Sequence, residues 1–328
     1  MSDVKDLEAA AESLSMTELI RLQDVLSRAI VRRFEKRLAL VFSDVVGSTP
    51  YFARFGDEAG RKLQQRHFDL LNAAIAPEHG RVVDTAGDGA FMVFESVASA
   101  TRAMVALQRS VVRDNDNRAQ DHRLYVRIGI HVGPVLTDGQ QVSGDAVNFC
   151  SRVAGSASAG EIRLSLAAHA DQVDVEFRLR SRRQRPVELK GVDRPQELFS
   201  LDWLDATRFP TLVRFEDGTE VRIPTLDVVR FGRLREQDGV TANDVVISLA
   251  DPNLQGRISR WHFELHRRAD GFMLRSVSSS TTELDGKPVV RGEDALLRPG
   301  SKVRLGGAIT LEFLSEDFSG EMTLLPSR

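Results

Sequence analysis

Residues 1–36 are rich in Ala, Leu, Glu and Arg and contain neither Gly nor Pro, which predicts a helix. Leu19, Leu22, Leu26, Ile30 and Phe34 recur on one face of it, and Ser15-Met16-Thr17-Glu18 has the form of a capping box. Two readings fit that face equally: a helix lying on its own domain, or a helix that pairs in a dimer. The period then changes. Residues 38–42 are continuously apolar, as in a buried central strand, and the run ends at Ser43-Asp44. A helical stretch covers 57–75, and Arg81-Val82-Val83-Asp84 and Ala90-Phe91-Met92-Val93-Phe94 flank Gly87-Asp88-Gly89, a hairpin signature. A helix over 97–112, a strand over 124–131 and a helix over 145–157 follow, then shorter strands to 201. The opening order β-α-β-β-α-β is that of a ferredoxin-like core.

Beyond Trp203 the texture becomes short strands separated by Asp-Gly, Gly-Arg, Asp-Pro and Pro-Gly turns. That is the pattern of an all-β sandwich. The expected fold class is therefore an α+β ferredoxin-like domain followed by an all-β sandwich, with an N-terminal helix. The expected divisions are a helical segment 1–36, a first domain 37–203, a linker 204–209, a sandwich 210–316 and a flexible tail 317–328. The tail carries too few apolar residues to hold itself in place.

Composition changes this picture little. The 328 residues are 42% hydrophobic and 28% charged, with a net charge of −3, so no global field draws the chain to nucleic acid or to an anionic membrane. A single cysteine, Cys150, excludes an intrachain disulfide and suits a reducing compartment. No apolar run approaches the roughly 20 residues of a membrane helix, and the acidic, Ala-rich N-terminus has no signal-peptide core. A cytoplasmic protein is expected. The Arg-rich tract 178–185 lacks interleaved aromatics and reads as a solvated strand face rather than a nucleic-acid site.

Candidate chemistry centres on two carboxylates. Asp44 ends the buried strand and leads through Gly47, Ser48 and Thr49 toward a helix start, where turn and helix amides can face a triphosphate. Asp88 occupies the hairpin turn. If their strands are neighbours the two converge, and converging carboxylates with phosphate oxygens suit Mg²⁺ or Mn²⁺. Singly, each has a structural explanation as a cap or turn residue.

Together, in this order and frame, Phe42-Ser43-Asp44-Val45-Val46-Gly47-Ser48-Thr49 and Gly87-Asp88-Gly89 resemble the class III adenylate/guanylate cyclase family. Gly144-Asp145-Ala146-Val147-Asn148-Phe149-Cys150-Ser151-Arg152, Ile128-Gly129-Ile130-His131-Val132-Gly133 and Leu189-Lys190-Gly191-Val192-Asp193-Arg194-Pro195 extend the resemblance. It implies that Asp44, Val45 and Asp88 hold two metals per site, that Asn148 orients the ribose, and that Arg152 stabilises charge on the α-phosphate. Lys190 is a phosphate contact or, equally, a surface lysine. His131 reads as structural. The family forms its sites across a head-to-tail dimer, so a homodimer with NTP as substrate is implied.

The family reads its base four residues before the second metal Asp and seven before the Asn. Lys and Asp stand there in adenylate cyclases, Glu and Cys in guanylate cyclases; here they are Asp84 and Gln141, matching neither pair. ATP and GTP both remain open.

In the second domain, Phe231-Gly232-Arg233, Arg257-Ile258-Ser259-Arg260-Trp261-His262 and Asp285-Gly286 resemble the FHA fold. The resemblance implies a phosphothreonine site formed by Arg233, Ser259 and Arg260, with Trp261 and His262 bracing the loops and Ser280 where the family has an Asn. The partner would be a phosphothreonine protein or the chain's own phosphorylated tail at Thr323. The reading is a nucleotide cyclase with a regulatory or targeting FHA module. The rival is a catalytically degenerate dimer that works as a phosphopeptide-binding scaffold.

Overall fold

In the computed structural model, residues 12, 14–172, 174–224, 226–268 and 270–315 are described; Thr323 and the rest of 316–328 lie outside them. Helix α1 (Met16–Phe34) opens as the capping box predicts, with the Glu18 carboxylate accepting the Ser15 backbone N–H at 2.8 Å. No residue of α1 is buried, and Leu19, Ile20, Leu26 and Ile30 stay between 40% and 53% exposed. Only its C-terminal end meets the domain, where Val31 lines a cleft with Pro134, Val135 and Leu136; most of the apolar face stays exposed, so the two readings of the helix remain open.

Strand β1 (Glu35–Val45) is longer than the apolar run suggested, because its polar ends are also paired. The chain continues through α2 (Ser48–Ile75), β2 (Arg81–Ala86), β3 (Gly89–Phe94), α3 (Val97–Asp116), β4 (Val126–Thr137), β5 (Val142–Ser143), α4 (Asp145–Gly155), β6 (Ile162–Ser165), α5 (Leu166–Asp171), α6 (Val175–Leu179), β7 (Ser181–Arg183) and β8 (Leu198–Leu201). The sheet runs β2-β3-β1-β4-β6-β8-β7, with β5 folded back on β4. Its first four strands have the ferredoxin-like order that β-α-β-β-α-β implies. Leu40 and Val41 are fully buried at its centre, since β1 is covered on both faces. Gly56, with φ 81° and ψ 171°, breaks α2 into two segments, which is why the helical pattern in the sequence starts only at 57.

The second domain packs two sheets. One pairs Glu220–Arg222, Leu212–Arg214, Ile309–Leu314, Lys302–Leu305, Thr282–Leu284 and Lys287–Pro288; the other pairs Val245–Val246, Val228–Gly232, Phe263–Arg268, Gly271–Ser276 and Asp294–Leu297. Phe231 and Phe263 stack at 4.5 Å on one sheet and meet Phe313 of the other edge-on, the packing aromatic quadrupoles favour.

The domains share a packed boundary. Leu204 and Phe209 are buried, and Phe209 meets Phe272 edge-on at 5.4 Å. The buried Arg267 guanidinium stacks over Trp203 at 5.5 Å and donates to the Leu226 carbonyl at 2.7 Å. Trp203 donates its indole N–H to Gly160 at 2.8 Å, and Asp227 faces the Tyr125 phenol, whose pKa is raised by burial and then by that carboxylate. The 178–185 tract is solvated only in part: Arg178, Arg183 and Arg185 are exposed, but Arg180 is only 4% exposed and pairs with Glu176 at 2.9 Å. Arg182 lines a cleft with Asp202, Thr211, Arg222 and Phe272. Counting charges cannot see this, because the long stems of Arg carry apolar surface inward.

Candidate active site

Sheet order brings the two carboxylates together. Ser43 is in register with Ala90 on β3, and Asp44 with Arg127 on β4. Asp88 lies in the β2–β3 turn beside Gly87, whose φ of 63° is the left-handed conformation glycine adopts freely. A Cβ on Gly89 would stand 3.8 Å from Asp44 Oδ1, so the turn lies directly against the end of β1. One oxygen of Asp88, Oδ2, is buried with no hydrogen-bond partner among the described residues. Beneath both lies His67 of α2, its Nδ1 3.0 Å from the Asp88 carbonyl and its Nε2 3.2 Å from Ser43 Oγ.

Arg127 was not singled out by sequence reasoning. Its guanidinium donates to Asp44 Oδ2 through Nε at 2.9 Å and also through Nη2. The signal was available only as strand register, since 83 residues separate the pair in the chain. Both side chains are about one-third exposed, so the arginine can exchange partners at little cost.

Gly47, at φ 78°, caps α2, and Ser48 and Thr49 form its first turn, where backbone amides have no intrahelical partner. Val46 is occupied: its N–H donates to the Tyr125 carbonyl at 2.8 Å. Val45 ends β1 and is 3% exposed.

Asn148 and Arg152 stand one turn apart on α4. A Cβ on Gly129 would lie 2.3 Å from the Ala154 backbone nitrogen, so only glycine lets this helix seat on β4. Arg152 donates to the Gly191 carbonyl at 3.0 Å, which places exposed Lys190 beside it. Among the described residues neither Asn148 nor Arg152 has a hydrogen bond or ion pair to Asp44 or Asp88. Cys150 is buried beneath the same helix, and burial pushes its thiol pKa up. His131 packs edge-on to Phe149, with Nδ1 2.8 Å from Ser165 Oγ. Burial, then Arg37, lowers its pKa to about 4, so it is neutral at physiological pH and holds the strand in place.

Asp84 is exposed just past a register shift in β2 and accepts the Thr85 N–H at 2.8 Å. Gln141 is exposed in the 138–141 turn, its N–H bonded to Asp138 at 2.8 Å. Arg81 ties the two segments by donating to the Gln140 carbonyl at 2.8 Å.

In the second domain Arg233 and Arg260 are exposed, and the Arg233 N–H donates to the Ser259 carbonyl at 3.0 Å. Ser259 Oγ lies 3.1 Å from Ser280 Oγ and also meets Ser278 Oγ; Ser278 is a member of this cluster that sequence reasoning did not name. His262 is fully buried and accepts the Ser259 N–H at 3.1 Å, so it does brace the loop. Trp261 is 41% exposed. Gly232 must be glycine, because a Cβ there would meet the Arg260 carbonyl at 2.2 Å.

The donor set at Asp44 and Asp88 fits a hard divalent cation. It offers carboxylate oxygens, one of them buried and unpaired. Among the described residues no cluster of three or more His, Cys, Asp or Glu forms a closed cage, so the remaining ligands would be substrate phosphates, backbone carbonyls and water. No helix among them is long and apolar enough to cross a membrane.

A family model described as "Adenylate and Guanylate cyclase catalytic domain" matches residues 31–202, and one described as "FHA domain" matches 229–306. A protein of Rhizobium meliloti (strain 1021) named "Putative adenylate cyclase 3" is 25% identical over 227 residues, covering 66% of this chain and 38% of that protein. Serine/threonine-protein kinase pkn2 of Myxococcus xanthus is 28% identical over 134 residues, 41% of this chain and 16% of the kinase. The chain thus spans well under two thirds of either relative. The crystal structure of adenylate/guanylate cyclase/hydrolase from Silicibacter pomeroyi is 22% identical, covers 51% of this chain and 96% of its own, and has a TM-score of 0.47.

Proposed function

The chain belongs to the adenylate and guanylate cyclase family, and from that premise we propose that it converts a nucleoside triphosphate to the 3′,5′-cyclic nucleotide and pyrophosphate at a site shared by two copies. The observation that carries this is the convergence of Asp44 and the β2–β3 turn, with the buried Asp88 oxygen left unpaired. Asp44, Asp88 and the carbonyl of Val45 would hold two Mg²⁺ or Mn²⁺ ions. When bound, such ions supply Lewis-acid stabilisation of the triphosphate and of charge developing on the 3′-oxygen.

The chain's own groups do the rest. Amides at Gly47, Ser48 and Thr49 receive phosphate oxygens. Arg127, which donates to Asp44 and is about one-third exposed, would be available to the substrate phosphates as a charged donor. From the second copy, Asn148 aligns the ribose for in-line attack of O3′ on the α-phosphorus, and Arg152 takes up charge on the α-phosphate as the bond to pyrophosphate breaks. Lys190, next to the Gly191 whose carbonyl Arg152 holds, would act on the same phosphates. Asp84 and Gln141 read the base, and the carboxylate acceptor of Asp84 favours a purine. The exposed apolar residues Leu19, Ile20, Leu26 and Ile30 of α1 support the dimer. Chelating divalent metal is expected to stop formation of cyclic product, and excess Mn²⁺ to restore it; turnover in the presence of chelator would contradict the metal assignment.

For the FHA domain the reading is a phosphothreonine site on Arg233, Ser259, Arg260 and Ser280. Guanidiniums from separate loops flanking a serine cluster match phosphate geometry. The packed boundary with the cyclase domain suits control of its output rather than independent tethering. A phosphothreonine peptide library is expected to yield ligands that Arg233→Ala binds about tenfold or more weakly, the loss of one charge-assisted pair. Equal binding by both proteins would make the module structural.

A further inference from the structure

The buried face of α2 consists of Gly60, Leu63, His67, Leu71, Ala74 and Ile75, a stripe at helical spacing. An apolar side chain at position 67 would serve packing alone. A histidine there is fully buried and costs desolvation unless both ring nitrogens find partners. Both do, and the partners fix the tautomer. A carbonyl only accepts, so Nδ1 carries the proton and donates to Asp88 at 3.0 Å. Nε2 then accepts from the Ser43 hydroxyl at 3.2 Å. Burial lowers the His67 pKa, with Asp88 and Asp44 raising it by less, which matches the neutral ring these two bonds require.

The two partners are not arbitrary. Ser43 precedes Asp44 on β1, and the carbonyl belongs to Asp88 itself. One ring therefore ties both carboxylate-bearing segments to a single buried point on α2. The Asp88 peptide lies in a tight turn, where ladder hydrogen bonds no longer orient the backbone.

We propose that His67 is a positioning residue, clamping the end of β1 to the β2–β3 turn and so setting the separation and orientation of Asp44 and Asp88. This rests on the reading of those carboxylates as metal ligands. Outer partners of this kind change metal affinity by roughly ten- to a hundredfold.

The test is direct titration of the full chain with Mn²⁺ alone, counting free ion by electron paramagnetic resonance, with thermal unfolding followed in parallel. His67→Leu, which fills the volume but makes neither hydrogen bond, is expected to remain cooperatively folded and to bind Mn²⁺ about tenfold or more weakly. His67→Asn, whose amide nitrogen can replace Nδ1 toward the Asp88 carbonyl, should recover part of the affinity. Ser43→Ala, which removes only the other partner, should lose a few-fold. A folded His67→Leu with wild-type Mn²⁺ affinity overturns the clamp. If that variant does not fold, wild-type affinity in both His67→Asn and Ser43→Ala overturns it instead. Wild-type protein that takes up no Mn²⁺ overturns the metal reading itself, a separate result visible in the reference titration.

Discussion

Asp44→Ala or Asp88→Ala is expected to abolish cyclisation while leaving the protein folded. Each removes a carboxylate that would hold a divalent ion, and losing about 4 kcal/mol of transition-state stabilisation lowers the rate roughly a thousandfold. The folding cost is small by comparison. The Asp44–Arg127 pair is partly exposed, and such pairs contribute about 1 kcal/mol or less. Asp88 makes its structural contact through its backbone carbonyl, which alanine retains. The measurement is cyclic nucleotide formed per minute at saturating Mn²⁺, beside the unfolding midpoint. Turnover near wild type in either variant would sink the two-carboxylate site.

The second large effect is a recovery. Asp44→Ala and Arg152→Ala are each expected to be inactive alone, because every site in either homodimer lacks one essential group. After subunit exchange in an equimolar mixture, half the dimers are mixed and each contains one complete site, so about a quarter of wild-type activity should return. The structure is compatible with this division. Arg152 is tied to Gly191, and neither it nor Asn148 reaches Asp44 or Asp88 within one chain. If exchange is verified by mass and no activity returns, the two halves do not come from different copies.

Much of this was legible in the sequence, and the failures have physical causes. The apolar run through Val41 and the Gly87-Asp88-Gly89 turn announced a central strand and its hairpin, because both signals are local. The family match at 31–202 and 229–306 bears out the cyclase and FHA resemblances drawn from those motifs. Arg127 stayed hidden because its partner is fixed by strand register across 83 residues, not by any motif. His67 stayed hidden because, between Arg66 and Phe68, it reads as one more residue of an amphipathic helix; only its burial with two named partners sets it apart. Arg182 was misjudged for the opposite reason: a charge run looks solvated until a second domain, here Thr211, Arg222 and Phe272, stands against it. Helix α2 was read short because Gly56 breaks its periodicity while the chain resumes the same helical path.

Incubating the purified full chain with each of the four nucleoside triphosphates and Mn²⁺ or Mg²⁺, and identifying products by mass, tests the central claim most directly. A purine nucleoside triphosphate is expected to yield its 3′,5′-cyclic nucleotide and pyrophosphate in equal amounts. No cyclic product from any of the four, with metal saturating and the dimer verified, would contradict it.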